Sequence, residues 1–125
     1  MKLSVKYIIA EPDEQSSIEL KNILDCYEIL DFKGSFTSLE ATENSISGEP
    51  PDIAFIRIGK AELNAFKLST TIRVLNSLSR VIFISSYDTY AVEAFEYEAD
   101  GFLLVPFDKE KTEHLLRRCV ENMGY

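Results

Sequence analysis

The 125 residues suffice for one domain and are too few for two. Hydrophobic residues make up 46% and charged residues 27%, the balance of a chain that can bury a core, and no apolar run approaches the ~20 residues needed to cross a bilayer. The formal net charge of −8 argues against unaided binding to nucleic acid, whose phosphates are met by clustered Lys and Arg.

The opening run MKLSVKYIIAEPDE meets acids at once and offers no small-residue cleavage site, so it does not read as a signal peptide, and a cytoplasmic location is expected. Val5 to Ala10 is the first predicted strand. From Ser16 to Tyr27, the residues Ile18, Leu20, Ile23 and Leu24 fit a helical stripe. Ser16 or Ser17 is the expected cap, with Glu19 placed for a capping box if Ser16 serves. A second strand lies within ILDFKGSF, with Gly34 at a bend, and a polar helix follows from Thr37 to Ser47. The third strand runs from Asp52 to Ile58 and is apolar except near its end, where Arg57 stands. A third helix is expected from Glu62 to Asn76, with Phe66, Leu68, Ile72 and Leu75 apolar. Arg80 to Ser85 is the fourth strand, and Tyr90 to Tyr97 a short helix with Ala91, Ala94 and Phe95 on one face. GFLLV is the fifth strand, Pro106 follows, and Asp108 caps a last helix reaching about Asn122.

This is a strand-helix unit repeated five times, without linker or low-complexity segment. Buried strands alternating with helices make a parallel sheet covered on both faces, joined by right-handed crossovers. The expected fold is α/β and flavodoxin-like, with five strands in the order 2-1-3-4-5. Sites in such folds form at the carboxyl ends of the strands. There the sequence places Glu11, Pro12 and Asp13, then Arg57, Ile58 and Gly59, then Ser85 and Ser86, then Val105 and Pro106. Arg57 is the odd member, since a cation at the mouth of a buried strand is costly unless it is paired.

Other chemistries find little support. Cys26 and Cys119 have no metal or redox spacing and read as buried helical thiols. His114 is the single histidine and reads as a helix-surface residue. Ser85 and Ser86 lie in no nucleophile elbow. The acids of EPDEQSS would repel the phosphate of FMN, and that loop lacks open backbone donors.

The run RVIFISSYDTYAVEAFEYEADGFLLVPF resembles the strand-helix-strand region of receivers attached to LytTR-type DNA-binding domains. In those, a hydroxyl residue ends strand four, an AYDxYAxxAF-like helix follows, and a DYLLKPF-like strand closes the run. RIGKAELNAFKLSTTIR lines up without gaps on the pattern DIxMPxMDGxELxxxIR. The chain thus resembles a response-regulator receiver domain over nearly its whole length. In that family an aspartate at the end of strand three takes a phosphoryl group and two acids after strand one help to hold Mg²⁺. A hydroxyl after strand four and a lysine after strand five contact the phosphoryl oxygens.

Residue by residue, the resemblance puts Arg57 at the phosphoacceptor position. Glu11 keeps the first acid, Pro12 takes the second, and Asp13 stands next to it. Ser85 keeps the hydroxyl, and Val105 replaces the lysine before Pro106. Phe102 keeps an aromatic on strand five, while Ala61 and Ala65 replace a Pro and a Gly of the loop. Arginine stays protonated and has no lone pair to offer, so it cannot accept a phosphoryl group.

The resemblance therefore implies a degenerate receiver, a pseudo-receiver without catalytic residues or cofactor. Mg²⁺ is not expected, and Glu11 and Asp13 are the residues that would remain to hold a metal. Arg57 is expected to pair with Glu11, Asp13 or both, in bidentate geometry; the bland reading is that it snorkels to solvent. The implied contact surface is helix four, strand five and helix five, meeting a protein partner or a second copy, with no membrane or direct nucleic-acid contact. Ser85, Tyr87, Tyr90, Phe95 and Phe102 are the switch or contact candidates there, with Tyr97 nearby. Two other readings stay open: a phosphoacceptor using a displaced acid such as Asp13, and a small-molecule module on the same fold. A DNA-binding domain is implied by the resemblance and lies outside these residues, so the expectation is one domain excised from a longer transcription regulator or a stand-alone receiver.

Overall fold

The computed structural model describes residues 4–124. The strands are β1 (Val5–Ala10), β2 (Leu30–Phe36), β3 (Ile53–Arg57), β4 (Arg80–Ser85) and β5 (Gly101–Leu104). Between and after them run α1 (Glu14–Leu24), α2 (Leu39–Gly48), α3 (Ala65–Leu75), α4 (Ala91–Glu96) and α5 (Lys109–Asn122), with a short 3-10 turn at Asp88–Tyr90 leading into α4. All pairings are parallel, and the strand order is β2-β1-β3-β4-β5, as expected. Among the described residues, no helix is long and apolar enough to cross a membrane.

Side-chain alternation along the strands divides the core between the two faces of the sheet. Ile8, Ala54, Ile56, Val81 and Phe83 join Ile46, Leu68, Ile72 and Ala94 from α2, α3 and α4. Val5, Tyr7, Ile9, Ile53, Phe55, Ile82 and Ile84 join Leu20, Leu24, Leu116 and Cys119 from α1 and α5. Burying such a Leu, Ile or Phe contributes about 1.5–3 kcal/mol each. The central strand β3 is buried from end to end, Arg57 included. Arg57 shares the parity of Ile53 and Phe55, so its side chain leaves the sheet on the side of α1 and α5.

Several local expectations are corrected. The cap of α1 is Asp13, whose carboxylate accepts from the Gln15 N–H; Ser16 and Ser17 already lie inside the helix and are buried. The buried stripe of α1 is Ser16, Ser17, Leu20 and Leu24, and Ile18 is 47% exposed. Asn64 caps α3, which therefore starts three residues later than the apolar pattern suggests. Cys26 is exposed in the loop after α1, whereas Cys119 is buried on α5, where burial pushes its thiol up to about 11. Phe95 does not join Ala94 in the core and is 56% exposed. His114 lies on the exposed side of α5. At Gly34 the β1–β2 register slips and φ is 153°, a conformation a side chain would resist.

Candidate functional site

The carboxyl ends of β1, β3 and β4 meet at one spot because these strands are neighbours in the sheet. The chain leaving β1 is tied to β2 by the Glu11 N–H, which donates to Phe36 O at 2.9 Å. The chain leaving β3 is tied to β4 by the Ile58 N–H, which donates to Ile84 O at 2.7 Å. These backbone ties present Glu11 and Arg57 to each other across the top of the sheet.

Arg57 is 4% exposed and Glu11 1%. The Arg57 Nη1 donates to Glu11 Oε1 in a buried ion pair. The Arg57 Nη2 donates to Ser86 Oγ at 2.7 Å. Glu11 Oε2 accepts from the Asp13 N–H at 3.3 Å. The guanidinium thus joins the loop after β1 to the loop after β4. It does not snorkel, and it does not form the bidentate pair expected: its second nitrogen serves a hydroxyl. Its Nε is buried with no hydrogen-bond partner among the described residues.

Asp13, in the loop after β1, makes no ion pair with Arg57. Its Oδ1 accepts from the Gln15 N–H at 3.1 Å and its Oδ2 from the Ser16 hydroxyl at 3.0 Å, so the carboxylate is committed to capping α1. The Ser16 hydroxyl bond, with the backbone donors of Gln15 and Ser16, holds Asp13 below the usual carboxylate range. Burial pushes the Glu11 carboxyl upward; the Asp13 N–H and the Arg57 charge oppose that rise without cancelling it.

Ser85 is fully buried, and its hydroxyl is turned into its own loop. It accepts from the Tyr87 N–H at 2.9 Å and donates to Tyr87 O at 3.0 Å. The hydroxyl that reaches Arg57 belongs to Ser86, which the sequence sets beside Ser85 at the strand ends and to which the resemblance assigns no role. The available signal was the doubled serine: Arg57 pairs in register with Ile84, and Ser86 lies just beyond that level. Pro12 is half-buried, Val105 packs against the α1/α5 side of the core, and Pro106 is exposed after a cis Val105–Pro106 bond.

Among the described residues, no three acids, histidines or cysteines gather to hold a metal ion. One oxygen of Glu11 is taken by a guanidinium, and both oxygens of Asp13 by the α1 cap. A cation already sits at the end of β3. The residues present do not fit Mg²⁺, which takes oxygen ligands.

The aromatic candidates divide. Tyr90 and Phe102 pack against the α2/α3/α4 core. Tyr97 stacks on Phe66 at 4.5 Å, and Tyr87 and Phe95 are 66% and 56% exposed.

No family model matches the chain. It is 25% identical over 114 residues to the sensory transduction protein LytT of Bacillus anthracis, covering 91% of this chain and 46% of that protein. It is 29% identical over 85 residues to LytT of Enterococcus faecalis, covering 68% of this chain and 35% of that protein. The chain thus spans less than half the length of these relatives. The response regulatory domain of mrkE from Klebsiella pneumoniae superposes with a TM-score of 0.85 at 24% identity, covering 94% of this chain and 96% of that domain. The REC domain of AraT, a response regulator from Geobacillus stearothermophilus, gives 0.85 at 21% identity, covering 96% and 95%. The chain thus has the fold of response-regulator receiver domains. Within this fold, Glu11, Arg57 and Ser85 stand at the ends of three adjacent strands, and Ser86 takes the contact to Arg57 that Ser85 does not make.

Proposed function

We infer that this receiver is a phosphorylation-independent interaction module of bacterial signal transduction or transcription regulation. The observation that carries the reading is the buried Arg57 at the end of β3, held by Glu11 and Ser86. A protonated guanidinium has no nucleophilic lone pair, and its charge repels a divalent cation from the same pocket. Val105 removes the second cation that a phosphoryl group would need to spread its charge. The pocket is then a fixed junction: one buried arginine does without metal what a metal and a carboxylate would otherwise organise.

Output in this reading passes through α4, β5 and α5 to a protein partner or a second copy. Val92, Phe95 and Leu104 are 73%, 56% and 45% exposed on α4 and β5. A groove of about 490 Å³ runs between Ala91, Phe102, Leu104, Pro106 and Lys111. Large exposed apolar side chains beside a groove are the usual material of an interface. In this reading the module acts in the cytoplasm and needs no cofactor.

A displaced phosphoacceptor would have to be Asp13, whose two oxygens are already engaged at the start of α1. Incubation with acetyl phosphate and Mg²⁺, followed by intact mass measurement, decides between them. The expected spectrum is unchanged. A stoichiometric single-phosphoryl adduct would overturn the reading.

A further inference from the structure

The side of the molecule formed by α3 and the end of α4 carries apolar surface that the fold leaves uncovered. Val74, Leu75 and Leu78 are 80%, 45% and 79% exposed, at the last turn of α3 and in the loop behind it. Single exposed apolar residues are ordinary, whereas three in five positions are not. Val74 lines an open groove of about 340 Å³ whose opposite wall is Glu96, Tyr97 and Glu98. Tyr97 stacks on Phe66 of α3 at 4.5 Å and 27°, which fixes the end of α4 against α3 while leaving Tyr97 42% exposed.

The charge of this groove is lopsided. Arg73, its cation, is spent on the fold. Its Nη2 donates to Asp100 Oδ2 at 2.9 Å and its Nη1 to Tyr97 O at 2.8 Å, with Glu98 at the margin at 4.0 Å. Asp100 lies between Arg73 and Arg80, the latter 3.9 Å away, and itself receives the Val81 N–H at 2.7 Å. Glu96 and Glu98 stand on the rim, Glu98 with a side chain 87% exposed and only the long 4.0 Å contact to Arg73. The result is an apolar wall facing an acidic rim. It shares no lining residue with the groove between α4, β5 and α5.

We propose that the α3–α4 groove docks a basic, amphipathic helical segment of a partner protein. Apolar residues on one stripe of that helix lie against Val74, Leu78 and Tyr97, and flanking Lys or Arg residues meet Glu96 and Glu98. Charge complementarity selects this occupant. A second copy of this chain would bring a net charge of −8 to an acidic rim, and nucleic acid or anionic lipid would be repelled outright.

The test uses ¹⁵N-labelled protein titrated with a synthetic helical peptide of Leu and Lys, its leucines on one stripe. The same peptide with Glu in place of Lys is the control. Amide shifts are expected to concentrate in residues 69–78 and 96–98, and the Glu peptide is expected not to bind. Val74→Ser with Leu78→Ser, which leaves the charge untouched, should weaken binding by about tenfold or more. Glu96→Gln with Glu98→Gln should do the same, while amides far from the groove keep their positions in both variants. Shifts centred elsewhere, or binding indifferent to Val74→Ser with Leu78→Ser, would overturn the proposal. So would self-association that this double variant abolishes, because it would assign the groove to a second copy.

Discussion

Arg57 is held on one side by a carboxylate and on the other by a hydroxyl, with Nε left without a partner among the described residues. Desolvation opposes the attraction in such a pair, so its worth appears only when one member is removed. Arg57→Ala strands Glu11 in a buried site and is expected to cost about 3 kcal/mol in urea unfolding at pH 7. Glu11→Leu combined with Arg57→Met removes both charges and should cost far less, which a double-mutant cycle reads directly. The pH dependence follows from the Glu11 carboxyl, which burial already pushes up. A raised carboxyl binds its proton more tightly when folded. Its contribution is full below the ordinary Glu value and is lost as pH rises through the folded value. Removing Arg57 takes away an influence that lowers Glu11, so the penalty of Arg57→Ala should shrink when the same unfolding is repeated near pH 4. Tyr7 carries a second buried polar atom: the residue is 1% exposed, its hydroxyl has no hydrogen-bond partner among the described residues, and its phenol is pushed up to about 12 by burial first and Asp25 second. Stability from a raised phenol is intact below its ordinary value and lost as pH climbs toward the folded value. Tyr7→Phe keeps the ring contacts with Phe32 and Phe55 and should be neutral or stabilising at pH 7. It should also abolish an alkaline loss of roughly 2–3 kcal/mol between pH 10 and 12, followed by denaturant midpoints across that range.

At the level of elements, what was legible depended on whether apolar periodicity alone decides the outcome. β1 and β4 are built on the apolar runs Tyr7 to Ala10 and Val81 to Ile84, and their predicted bounds coincide with the observed ones. Helix starts went astray where a polar side chain upstream competes for the free backbone N–H groups. Asp13 outcompetes Ser16 at α1, and Asn64 stops α3 from reaching back to Glu62. Phe95 and Leu75 have the spacing of core residues, yet α4 is six residues long and the last turn of α3 overhangs the sheet, so neither finds a partner surface. In the site, the Arg57–Glu11 contact was readable because strand order forces β1 and β3 together. The choice between Ser85 and Ser86 was not. It depends on the turn after β4, where the Ser85 hydroxyl closes on Tyr87 and hands the outward position to Ser86.

For the molecule as a whole, the junction at the strand ends determines which ligands can act on its stability. A ligand that binds only the folded state raises the melting temperature as the logarithm of its concentration over Kd, and about 100-fold excess over Kd supplies about 2.7 kcal/mol. In a domain of this size that is a rise of roughly 10 °C. Here Glu11 is neutralised by Arg57 and Asp13 is bound to the α1 cap, so Mg²⁺ has no pair of free carboxylates at the top of the sheet. Thermal unfolding in millimolar Mg²⁺ is therefore expected to match unfolding in EDTA. Arg57→Asp reverses the charge at the end of β3 and sets a second carboxylate beside Glu11. Without metal these like charges repel, and the variant should melt below the wild type. With Mg²⁺ the same pair becomes a ligand set, and the melting temperature should rise by several degrees, a response absent from the wild type. A Mg²⁺-dependent rise in the wild type, or none in Arg57→Asp, would show that something other than the Arg57 charge keeps the metal out.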